Sequence, residues 1–200
     1  MRTVAVPSQP VTWNQAILPG LHSRNPDACY TQLNRLRQGP DSQIQRTNSQ
    51  MALRSFPDLT RQPPRSPRVR VGGYVHLPRI LDKGRATLAG KQGEYKYNCP
   101  LDQRFLEFVG IDPMALKKQL AAGMSDGEIL DWVGKHAQHQ RTELEIAAWS
   151  EFMERRVPGD PESRSFFNEL QKKVAPNRED ITTWFDLLDV DDYASFGGKT

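Results

Sequence analysis

Pro100-Leu101-Asp102-Gln103-Arg104-Phe105-Leu106-Glu107-Phe108-Val109-Gly110-Ile111-Asp112-Pro113 decides the fold. Proline is tolerated in the first turn of a helix, where its missing N–H would have had no partner. Leu101, Phe105, Leu106, Phe108 and Val109 then recur at helical spacing, and Gly110 supplies a stop. Asp112-Pro113 repeats the start signal as an N-cap followed by a first-turn proline. One helix ends and the next begins within a few residues, and connections that short join helices packed side by side.

The same punctuation continues in both directions. Downstream, Leu116 and Leu120 face inward until Gly123, and Ser125-Asp126-Gly127-Glu128 forms a capping box for a helix carrying Ile129, Trp132, Val133 and His136. A longer helix is predicted over 141–156, with Leu144, Ala148 and Phe152 beside Ile146, Trp149 and Met153. Asp160-Pro161 caps the next, with Phe166, Phe167, Leu170 and Val174, and Thr182 or Thr183 opens the last, with Trp184, Phe185, Leu187 and Leu188. Upstream, Pro78 starts a helix with Ile80, Leu81 and Leu88 that Gly90 ends. The expectation is an all-α fold: a compact globular bundle of six or seven short helices over residues 78–200, preceded by an extended Pro/Arg-rich arm. No repeat at a solenoid period of about 20–50 residues interrupts it.

The arm is residues 51–77. Pro57, Pro63, Pro64, Pro67 and Pro78 bar helix from the residues that precede them. Val69, Val71, Tyr74, Val75 and Leu77 seek a surface, and Gly72-Gly73 permits a sharp bend. Residues 1–50 show no sustained period and are read as a disordered or non-native N-terminal extension, with a short helix near Tyr30–Arg37 and Met51 as an alternative start.

A formal net charge of +3 hides a polarity. Residues 51–91 hold nine basic and two acidic residues, and residues 92–200 hold thirteen basic and twenty acidic ones. The two segments cancel, so an arm lying on the body it precedes is favoured over nucleic-acid binding by the arm. No run approaches the roughly 18 apolar residues of a membrane-spanning helix, which argues against a membrane role. Pro7, Pro10, Asn14 and Gln15 break any signal-peptide core. Cys29 and Cys99 are too few and too far apart for a disulfide framework, so a reducing, cytoplasmic setting is expected.

Three stretches carry a family resemblance: Arg65-Ser66-Pro67-Arg68-Val69-Arg70 with Gly72-Gly73-Tyr74; Leu77-Pro78-Arg79-Ile80-Leu81-Asp82-Lys83-Gly84-Arg85-Ala86; and Gly93-Glu94-Tyr95 leading into Cys99-Pro100-Leu101-Asp102-Gln103-Arg104-Phe105-Leu106. Together with Ser125-Asp126-Gly127-Glu128 and the Trp184 region, they make residues 55–200 similar to an uncharacterised bacterial family catalogued as domain of unknown function 5069. The resemblance implies a single small domain of bacterial origin and no particular activity.

Two constellations suggest chemistry. Cys99 precedes the helix that begins at Pro100, and a helix N-terminus favours a thiolate, so Cys99 with Asp102 in support is a candidate catalytic pair. Arg79, Arg85 and Arg104 with Tyr95 and Tyr97 are candidates for a pocket that grips a carboxylate or phosphate, because guanidinium forks bind such groups bidentately. The bland reading of the same residues is a buried ion-pair network tying arm to helices. His136, His139 and Glu143 share a helix face only if the helix runs unbroken, in a polar segment, so no metal site is assigned. Nothing matches a Ser-His-Asp, zinc-ribbon or dinucleotide pattern, and no cofactor is expected.

The leading functional expectation is a helical module that binds a small anionic ligand or a protein partner. The alternatives are an enzyme using Cys99 as an activated thiol, and nucleic-acid binding by the basic arm.

Overall fold

A computed structural model of the chain describes residues 56–200. The expectations for residues 1–50, including the helix near Tyr30–Arg37, and the choice of Met51 as a start lie outside the described residues. The rest is seven α-helices behind one small hairpin: β1 (Arg70–Val71), β2 (Tyr74–Val75), α1 (Leu77–Leu88), α2 (Pro100–Val109), α3 (Pro113–Ala121), α4 (Asp126–His136), α5 (Glu143–Glu154), α6 (Pro161–Val174) and α7 (Trp184–Ser195). None is long and apolar enough to cross a membrane.

The caps carry out the sequence punctuation. The Asp112, Ser125, Thr142, Asp160 and Thr183 side chains accept from backbone N–H groups three residues on, and Gly110 closes α2 with φ 69°. Each removes one orphan donor or acceptor at a helix end. The hairpin is antiparallel, pairing Arg70 with Val75 and Val71 with Tyr74. Gly72 and Gly73, at φ 58° and 82°, form its two-residue turn, which demands positive φ at both positions.

The largest core gathers Tyr74, Leu77, Ile80, Leu81, Phe105 and Leu116 with neighbours from α2–α4. A second joins α6 to α7 through Phe167, Ala175, Ile181 and Leu187, and a third sets Val75 against Met153 and Phe185. One helix departs from expectation. Leu144 and Phe152 of α5 are 80% and 59% exposed, and Ala148 is exposed too. Apolar residues surround nearly the whole of α5, so periodicity selects no face. The hairpin selects it: Ser150 Oγ donates to Gly73 O at 2.9 Å and accepts from Val75 N–H at 3.3 Å, which turns Met153 and Trp149 inward. His136, expected beside Trp132, is exposed and stacks on that indole at 5.0 Å.

Residues 56–75 cross the helices with three of their four arginines, Arg65, Arg68 and Arg70, paired to carboxylates. Arg65 donates to Asp82 through Nε and Nη2 at 2.9 and 2.8 Å, and to Asp126 at 2.6 Å. Arg68 reaches Asp186 and Asp189, and Arg70 reaches Glu154 at 2.9 Å. His76 joins this segment to α1. It is buried, holds its backbone at φ 65°, and donates its N–H to Pro67 O at 2.8 Å. A bulky residue in the left-handed region is uncommon and persists only when its surroundings hold it there.

Candidate functional site

Helix α1 is buried almost all round over its first two turns, Leu77 to Gly84, although Arg79, Asp82 and Lys83 lie among those residues. Charges in such a place must find partners. Arg79 donates to both oxygens of Asp192 in α7, at 2.6 and 3.1 Å, and lies 5.5 Å over the Tyr95 ring. Tyr95 Oη donates to the same carboxylate at 2.8 Å. Lys83, one turn on, donates Nζ–H to Asp102 Oδ1 at 2.6 Å and lies 3.4 Å from Cys99 Sγ.

Asp102 is the centre of this arrangement, with no exposed side-chain surface. Its Oδ2 caps α2, accepting from Asn98 N–H at 2.9 Å and Cys99 N–H at 3.3 Å. Its Oδ1 accepts from Lys83 and faces His76 Nε2 at 2.9 Å. Burial pushes its pKa up, but the His76 hydrogen bond and the Lys83 charge outweigh that and hold it below the ordinary carboxylate range. A carboxylate only accepts, so His76 carries its proton on Nε2. Burial lowers the pKa of His76 and keeps it neutral, beyond what the Asp102 hydrogen bond restores. Its Nδ1 lone pair is buried with no partner among the described residues.

These groups surround a cavity of about 630 Å³, within the roughly 300–1,000 Å³ of small-molecule pockets. His76, Arg79, Lys83, Tyr95 and Cys99 are on its wall; Asp102 and Asp192 are not. Arg79 and Lys83 thus border the space, with 3% and 5% of their side chains exposed, while the carboxylates that pair with them lie outside its lining. Lys96, Glu94 and Asp191 complete the charged lining, and burial and the neighbouring Asp192 raise the pKa of Asp191. Beyond Cys99 and Leu101 lies a second recess of about 330 Å³ between α2, α6 and α7, lined by Phe166, Leu170, Trp184 and Leu187 with Arg104 and Arg156. Cys99, Leu101, Leu188 and Asp191 belong to both walls.

Of the residues singled out from the sequence, Arg79, Tyr95 and Cys99 meet at the cavity, and Asp102 stands behind it. The three arginines expected to converge do not. Arg85 turns to Asp126 at 2.6 Å and the Met124 carbonyl at 2.9 Å, tying α1 to α4. Tyr97 donates to Pro113 O at 2.7 Å and packs beside Gly84. Arg104 lies on the second recess. Arg85 is separated by helix rotation: residues 79 and 83 share a face one turn apart, and residue 85 is rotated away from it. Sequence reasoning missed His76 and Lys83 as site residues. The spacing of Lys83 from Arg79, one turn apart on one helix face, was a usable signal; His76, at a junction outside any periodic segment, had none.

Residues 61–194 match the family model described as Domain of unknown function (DUF5069), and the chain belongs to that family. No curated protein matches the chain. All the titratable groups of the cavity wall fall within the matched span; Leu59 and Thr60 at one lip and Ser195 and Phe196 at the other fall just outside it.

Proposed function

We propose that the domain binds a small anionic molecule, a carboxylate or a phosphate, in the cavity between α1, α7 and the loop before α2. One observation carries the reading: Arg79 and Lys83 line the cavity, whereas Asp192 and Asp102, the carboxylates that pair with them, do not. A fixed cation at a low-dielectric wall attracts an anion more strongly than the same cation in water, and its ordering cost is already met by the carboxylate. The Lys83 ammonium has a third N–H beyond those directed at Asp102 and Cys99.

A thermal-shift screen of inorganic phosphate and short carboxylates tests this. A ligand at 100 times its Kd stabilises by about 2.7 kcal/mol. Stabilisation that saturates, above that of sodium chloride at equal ionic strength, supports the reading; shifts no larger than those of the salt overturn it.

Covalent chemistry at Cys99 is the second reading, favoured by the Lys83 ammonium 3.4 Å from its sulfur and by neutral His76 on the same wall. Cys99→Ser separates the two, since binding survives it and turnover does not. Nucleic-acid binding is not favoured, because Arg65, Arg68 and Arg70 are engaged by carboxylates of the body. The free thiol of Cys99 supports placing the protein in the reducing cytoplasm of a bacterial cell.

A further inference from the structure

We infer that the ligand is an amphipathic organic acid, its acid group at Lys83 and Arg79 and its apolar body laid across Cys99 into the recess between α2, α6 and α7. This rests on the anion reading above and specifies the rest of the molecule. The two spaces share Cys99, Leu101, Leu188 and Asp191 in their linings, so they lie side by side, one largely polar and the other largely apolar. The polar half holds buried His76, whose Nδ1 has no partner among the described residues. The apolar half is walled by Leu101, Leu170, Leu187 and Trp184, with Phe166 over it at 55% exposure. A large aromatic ring left so exposed beside an open recess is surface that a bound apolar chain would cover.

The charges at the far rim fit the same orientation. Arg104 and Arg156 border the recess, and neither makes an ion pair among the described residues. Two like charges there repel a cationic tail and leave a neutral or acidic one acceptable. Asp191 on the shared wall is the acidic group the ligand passes; burial and the neighbouring Asp192 raise its pKa. The volume of the recess, about 330 Å³, suits an aryl ring or a medium-length alkyl chain and no larger group.

Calorimetric titration of the full chain with unbranched carboxylates from acetate to octanoate, each below its micelle concentration, tests the proposal. Affinity is expected to rise roughly two- to fourfold per methylene, the contribution of burying each group, until the recess is full. Phe166→Asp, at an exposed position where folding is retained, should flatten that rise. Acetate and octanoate binding equally would overturn this inference and leave the anion reading standing, whereas no binding of any acid or of phosphate would overturn the anion reading itself. Octanoate affinity unaffected by Phe166→Asp would place the chain elsewhere and also overturn the inference. A dimer in light scattering that Phe166→Asp abolishes would assign the recess to a second copy and contradict it equally.

Discussion

Lys83 Nζ and Asp102 Oδ1 stand 2.6 Å apart with almost no solvent reaching either side chain. The pair joins α1 to the N-terminus of α2, and the same carboxylate caps that helix and orients His76. One residue thus fixes the cap, the cation and the imidazole of the candidate site.

Asp102→Asn should therefore destabilise the domain by about 3–5 kcal/mol, the usual cost of leaving one partner of a buried pair uncompensated. Denaturant unfolding followed by tryptophan fluorescence measures it. A loss below about 1 kcal/mol would mean that the pair is open to water.

Acid should weaken the fold in two stages. The folded-state pKa of His76 lies below its ordinary 6.5, so between the two values the unfolded chain binds a proton that the folded chain refuses, and stability falls as pH drops below about 6.5. Asp102 is likewise depressed from 3.8; its contribution is present above that value and is lost as pH falls through the folded one. Arg79 and Lys83 face His76 as well and oppose its protonation. His76→Asn, which tolerates left-handed backbone, should flatten the stability profile below about pH 6.5. A slope unchanged in the variant would assign the acid sensitivity to another group.

Gly72→Ala and Gly90→Ala should differ although both glycines have positive φ, 58° and 68°. Either change costs about 1–2 kcal/mol for a side chain in the left-handed region. At Gly72 the new Cβ would also lie 2.4 Å from Leu130 Cδ1, whereas nothing lies within 4 Å at Gly90. Crowding adds roughly 1–3 kcal/mol at the first site alone. Equal losses in thermal unfolding would show that the hairpin does not press on α4.

Arg65→Ala should cost about 1 kcal/mol, since the guanidinium is 35% exposed, yet it should free residues 61–68 for proteolysis. Its donors reach Asp82, Asp126 and the Pro78 carbonyl together, so one side chain anchors that segment to both α1 and α4. Unchanged cleavage kinetics would assign the anchoring to Arg68 and Arg70.

The helices were legible because their boundaries are local chemistry. Asp112, Ser125 and Asp160 cap helices that begin where their spacing to Pro113, Glu128 and Pro161 predicts, and of Thr182 and Thr183, left open by the sequence, Thr183 is the cap. Thr142–Glu145, a capping box of the same kind, went unread and left α5 placed two residues too long at each end. The face of α5 was not legible at all, because it depends on hydrogen bonds from Ser150 to a hairpin some seventy-five residues earlier. The candidate site divides in the same way. Cys99 and Asp102 are conspicuous beside a helix start, and Arg79 and Tyr95 stand out by type. His76 meets Asp102 only through the fold, across 26 residues and a left-handed backbone that nothing but tertiary packing enforces. Arg85 and Arg104 look like Arg79 in the sequence and are separated from it by helix rotation and by distance along α2.

The most direct measurement of the central claim is the alkylation rate of Cys99 as a carboxylate or phosphate from the thermal-shift screen is titrated in, with the modified residue identified by peptide mass. Cys99 Sγ lies 3.4 Å from the Lys83 ammonium on the cavity wall, so an anion seated on that cation covers the thiol. The expected result is a saturable fall of at least about tenfold, with a midpoint equal to the Kd from calorimetry; tenfold corresponds to about 1.4 kcal/mol of protection. A rate that stays constant while the ligand demonstrably binds would place the ligand elsewhere and contradict the account.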